Sequence, residues 1–166
     1  MENQGNGKSA FTVTGVFADK ADAENAYHFL MTLGYTPSEV TLIMSDETGQ
    51  KMNKNNDRHH RAGSRTRFII QKELNGISEA IDAYGKFVAI PGVSLIVAGD
   101  LAGSGLNALA NSVMSDKYAT YYKTLIKDGE IVIDFAPHSV KEKNMIAGLW
   151  EDFHGYPITR RANHAA

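Results

Sequence analysis

Apolar and polar residues alternate over 11–17, FTVTGVF, so that Phe11, Val13, Gly15 and Phe17 share one side and Thr12, Thr14 and Val16 the other. A period of two marks a strand with one buried face. The period then changes. Asp19 offers an N-cap with Asp22 three residues on, and Ala23, Ala26, Tyr27, Leu30 and Met31 recur at offsets 0, 3, 4, 7 and 8. That spacing predicts a helix with a single apolar stripe, stopped by Gly34. Pro37 and Ser38 turn the chain into a second strand, VTLIM at 40–44, with Val40, Leu42 and Met44 on one face.

A second helical pattern runs through Ile70, Leu74, Ile77, Ile81 and Tyr84 and predicts a helix over 67–84, with Gly76 inside it, Gly85 closing it and Pro91 forbidding its extension. VSLIVA at 93–98 reads as a buried strand, Gly99, Gly103 and Gly105 punctuate its exit, and LNALANSVM suits a short helix. Ser115 caps a helix whose stripe, Tyr118, Tyr121, Tyr122, Leu125 and Ile126, repeats the spacing of the first, with Gly129 at its end. IVIDF at 131–135 is a fourth strand. Ser139 and Glu142 then form a capping box that opens a helix over 139–153 carrying Met145, Ile146, Leu149, Trp150 and Phe153, closed by Gly155.

Strand, helix, strand at 11–44 is matched by strand, helix, strand at 93–135. Two such units predict an α+β fold of the ferredoxin-like split βαβ kind: a four-stranded antiparallel sheet, right-handed crossovers, and both striped helices on one face. In that layout 11–17 and 93–98 are central, 67–84 is an inserted helix and 139–153 an appended C-terminal helix. The single domain spans 11–155, between tails at 1–10 and 156–166. Phe11, Val13, Phe17, Leu30, Leu42, Leu95, Leu125, Ile131 and Ile133 are the expected core. The opposite sheet face would present Thr12, Thr14, Val16, Ser94, Ile96 and Ala98, with Ile43 and Val132 beside them. More than half of that face is apolar, so it needs a cover. The expected cover is a second copy in a two-fold dimer, with Val16, Ile43, Ile96, Val132, Trp150 and Phe153 as candidate interface residues.

Composition narrows the chemistry. The 166 residues include no cysteine, which removes disulfides, thiolate metal sites, cysteine-ligated clusters and cysteine nucleophiles. The polar start, MENQGNGKSA, has no apolar signal region, so a cytoplasmic setting is the expectation. The formal charge is −2, but it is uneven. Within the polar loop at 45–66 and its edge, Lys51, Lys54, Arg58, Arg61, Arg65 and Arg67 stand against Asp57 alone, a net +5 that leaves −7 for the rest. Those six are candidate polyanion contacts of a weak, non-specific kind. The plainer reading is a flexible solvated loop, because no aromatic side chain interleaves the charges.

Other clusters carry less. Gly99–Gly105 follows a strand as a phosphate loop would, but it matches neither nucleotide motif and Asp100 would repel an anion, so close backbone packing is the better reading. His59 and His60 with Asp57 lack the ligand count of a structural metal site. His138 and Asp134 flank a strand end, and the three tyrosines at helical spacing read as core. The uncharged run 87–99 is 13 residues long with Pro91 and Gly92 inside it, short of the ~20 a membrane span needs. No cofactor, metal or catalytic set is expected.

Three stretches carry a resemblance. VTGVFADKADAENAYHFLMTLGYTPSEVTLI, IPGVSLIVAGDLAG and SDKYATYYKTLIKDGEIVI resemble, in order and spacing, the bacterial general-stress, heat-induced stress protein-like family over about 11–136. The resemblance implies a small cytoplasmic bacterial stress protein with no assigned activity and no site residues to transfer. The expected function is therefore a non-enzymatic domain that acts by association with itself or another protein. A small-molecule-binding regulatory module and an enzyme with an unrecognised site stand as alternatives.

Overall fold

The computed structural model of the chain describes residues 11–52, 76–99, 109, 112–115 and 117–161. The alternating segment forms β1 (Phe11–Phe17), and Asp19 caps α1 (Lys20–Thr32) by accepting the Ala21 N–H at 2.8 Å. Gly34, at φ +100°, ends it: its N–H and that of Tyr35 bond back to the carbonyls of Met31 and Leu30. β2 (Val40–Ser45) runs straight into a helical segment at 46–52, α2, which the Ser45 hydroxyl caps by accepting the Thr48 N–H at 3.0 Å. α3 (Ile77–Tyr84) leads into β3 (Lys86–Ile90), a Pro91-Gly92 turn and β4 (Val93–Ala98). α4 (Ala119–Lys127), β5 (Ile131–Phe135), α5 (Val140–Asp152) and β6 (Ile158–Arg161) complete the described elements. Ser139 caps α5 by accepting the Glu142 N–H at 3.1 Å, one half of the expected capping box, while the Glu142 carboxylate accepts the Tyr35 hydroxyl.

The strands make one antiparallel sheet in the order β3-β4-β2-β5-β1-β6. The fold is α+β, but among the described residues the sheet has six strands rather than four, and its centre is β2 and β5 rather than 11–17 and 93–98. β1 lies between β5 and β6 and never meets β4.

Helices cover both faces. On one face α1, α2, α3 and α5 bury Val13, Phe17, Leu42, Met44, Ile131, Ile133 and Phe135. On the other, α4 and the short turn Val113–Ser115 bury Val16, Ile43, Leu95, Val97 and Val132. The expectation that both striped helices share a face is therefore corrected. It follows that the β1–β2 and β4–β5 crossovers have opposite hands, because each joins parallel strands with one strand between them and their helices lie on opposite sides.

Several boundaries move. Gly76 is the extended N-cap of α3 (φ −87°), so that helix starts at 77 and not at 67. The expected loop at 45–66 begins as α2, where Met52 is fully buried; its remainder, 53–66, lies outside the described residues, as do 67–75 and 1–10. Residues 158–161 are a strand and not part of a tail. The helix at 139–153 is no appendage: Ile146 and Trp150 are buried in the first core. Trp150 sits over Gly15 of β1, its ring edge-on to Phe17 (5.4 Å, 82°) and angled to Phe135 (5.4 Å, 64°). Of the expected core, Phe11 is exposed, Leu125 is half-buried and Leu95 faces α4.

Candidate functional site

Register sorts the expected interface residues. Ile96 stands opposite Met44 and Ala98 opposite Leu42, so both belong to the α1 face, not with Val16. Val16, Ile43 and Val132 are buried beneath α4. Trp150 is enclosed within its own chain, and Phe153 is half-buried against the same core. The apolar sheet face thus has its cover inside the chain, and these six side chains do not form one surface. Of the polyanion candidates, Lys51 is exposed on α2 and lies 3.8 Å from Glu47, one turn earlier. Lys54, Arg58, Arg61, Arg65 and Arg67 lie outside the described residues, as do His59, His60, Asp57, Gly103 and Gly105. Gly99 fits the packing reading: at φ +140°, a Cβ there would lie 2.8 Å from the Val40 carbonyl.

Asp134 and His138 point to separate places. Asp134, on the α4 face, is 4% exposed; it accepts the Thr14 hydroxyl at 2.9 Å and the Val113 N–H at 3.0 Å. Its carboxylate thereby ties β1, β5 and the Val113 turn together. His138 stacks on Tyr35 (4.0 Å, 12°) and meets Glu39 at 2.6 Å through Nε2. The buried Tyr35 hydroxyl donates to Glu142 at 2.6 Å and accepts the His138 N–H at 3.0 Å. Burial, then the Glu142 hydrogen bond, pushes the Tyr35 hydroxyl well above its ordinary value. Burial raises Glu39 too, but the hydrogen bonds from His138 and from the Thr36 backbone and hydroxyl prevail and hold it low. This cluster clasps the α1–β2 connection to the start of α5. Its polar groups are engaged with one another rather than turned toward a common empty point.

The tyrosine stripe of α4 divides likewise: Tyr122 is buried, Tyr118 is half-buried and Tyr121 is exposed.

The feature that sequence reasoning missed is the sheet edge at β3. Among the described residues no strand lies beyond it. Phe87 stands on this edge with 61% of its surface exposed, and Ala89 beside it is exposed as well. The signal was present as KFVAI, bounded by Gly85 and by a Pro-Gly turn in which Gly92 takes φ +92°. The opposite edge differs in kind: β6 reads ITRR and follows Pro157, the composition by which natural sheets blunt an edge.

Among the described residues no helix is long and apolar enough to cross a membrane. No protein-family model, curated protein or solved structure matches the chain.

Proposed function

We propose that the chain is a non-catalytic association module of the cytoplasmic bacterial stress-response kind, acting by lending the β3 edge of its sheet to another protein surface. The observation that carries this reading is Phe87, a large apolar side chain 61% exposed on a strand edge beyond which no described strand lies. Exposed apolar side chains at unpaired edges favour β-addition, in which main-chain hydrogen bonds give affinity and alternate side chains give selectivity. The stress-response part rests on the resemblance of 11–136. The test is complementation of a deletion strain of the source organism under heat and oxidative stress. Phe87→Lys, folded and expressed as the parent, should fail to restore survival. Full restoration by that variant would refute the reading.

A further inference from the structure

We propose that the partner taken by the β3 edge is a second copy of this chain, paired antiparallel about a two-fold axis at Val88; this rests on the association reading above. The two-residue Pro91-Gly92 turn makes Ile90 and Val93 the closing hydrogen-bonded pair of the hairpin. Hydrogen-bonded pairs then recur at every second position, at Val88–Leu95 and Lys86–Val97. Phe87 and Ala89 are left with N–H and C=O groups directed to the open side. Antiparallel pairing centred on Val88 sets Phe87 of one copy opposite Ala89 of the other, twice, and joins them by four main-chain hydrogen bonds.

The side chains agree with that register. The large exposed Phe87 falls against the small exposed Ala89. On the other face Val88, part of the core beneath α4, meets its own copy and joins the two cores. Lys86, the one charged residue of β3, falls opposite Ile90 and not opposite its own copy, so no like charges face each other. Pairing at β6 would instead bring together strands that each end in two arginines.

The absence of cysteine makes the register directly testable. Val88→Cys should form a disulfide-linked dimer on mild oxidation, because residues on the axis lie about 4.5 Å apart between Cα atoms, within disulfide reach. Phe87→Cys and Ala89→Cys should cross-link when mixed. Neither should do so alone, since like positions are then two residues out of register, about 8–9 Å apart. The parent chain should sediment at twice 18.1 kDa. Ala89→Pro, which removes only an outward N–H, should return it to the monomer mass with its melting temperature kept. A dimer in which Val88→Cys does not cross-link, or one that Ala89→Pro leaves intact, overturns this pairing. A parent chain that stays monomeric at high micromolar concentration overturns the second copy as partner. Full restoration of survival by Phe87→Lys, with these cross-links intact, would sink the association reading and leave the pairing standing.

Discussion

Adding one methyl group at Gly15 tests how α5 is built into the fold. A Cβ at Gly15 would lie 2.5 and 2.7 Å from Cε3 and Cζ3 of Trp150 and 3.1 Å from Cε1 of Phe17. None of these atoms sits at the end of a flexible side chain: both rings are fully buried and packed edge-on against each other. The Trp150 ring must therefore lift off β1 or the strand must bend, and overpacking of this kind costs about 1–3 kcal/mol. Lower entropy of the unfolded chain returns about 0.4–1 kcal/mol. Contacts of 2.5 and 2.7 Å on packed rings place the overpacking cost in the upper part of its range, about 2–3 kcal/mol, so Gly15→Ala should lose about 1–2.5 kcal/mol net, a fall of about 2–10 °C in melting temperature for a domain of this size. Gly148, two residues before Trp150 on the same helix, has nothing within 4 Å of its Cβ position, so Gly148→Ala should gain about 0.5–1 kcal/mol from helix propensity. Trp150→Phe removes the clashing ring atoms, and with them a buried indole N–H that has no partner among the described residues. Gly15→Ala should accordingly cost at least about 1 kcal/mol less in that background. Urea unfolding followed by circular dichroism reads the parent and all four variants. A neutral or stabilising Gly15→Ala, or an unchanged cost beside Trp150→Phe, would refute the seating of Trp150 on β1.

Three further outcomes follow from other parts of the fold. Met52→Ala should cost about 2–5 kcal/mol by urea unfolding, because Met52 is 1% exposed; a loss below about 0.5 kcal/mol would show that α2 does not seal the core. Asp134→Ala should cost about 2–4 kcal/mol by removing the buried carboxylate that accepts from the Thr14 hydroxyl and the Val113 N–H, and Asp134→Asn, which keeps one acceptor oxygen, should cost less; equal losses would contradict that reading. Glu39 is held below its ordinary value in the folded chain, so its contribution is present above the unfolded carboxyl range, near pH 4–5, and fades as pH falls through the folded value. Melting temperature should therefore fall less steeply below about pH 5 in Glu39→Gln than in the parent, and identical slopes would remove Glu39 from the clasp.

Much of the fold was legible because its signals are local. The stripe Ala23–Met31, the Asp19 cap, the Gly34 stop and the Ser139 cap each describe a few turns of chain at most, and each is found where the sequence puts it. Strand order was not legible. Alternation says which side chains share a face, not which strand lies alongside, and 93–98 is apolar on both faces because helices cover both. That is why alternation alone puts Ile96 and Leu95 on the wrong sides. β6 escaped notice because four residues reading ITRR show no apolar alternation. The seat of Trp150 had a sequence signal in Gly15, a glycine on the inward side of a strand where another group comes close. The β3 edge was hidden by brevity: five residues between a glycine and a proline resemble a linker until their partner strand is known.

Amide exchange along β3 tests the association account most directly. Val88 and Ile90 direct their N–H groups to β4, whereas Phe87 and Ala89 direct theirs to the open edge. In dilute protein, Val88 and Ile90 should be protected while Phe87 and Ala89 exchange freely. At high micromolar concentration the latter two should become protected at least about tenfold, with Val88 and Ile90 unchanged. Equal, concentration-independent exchange at Phe87 and Ala89 would contradict pairing at this edge.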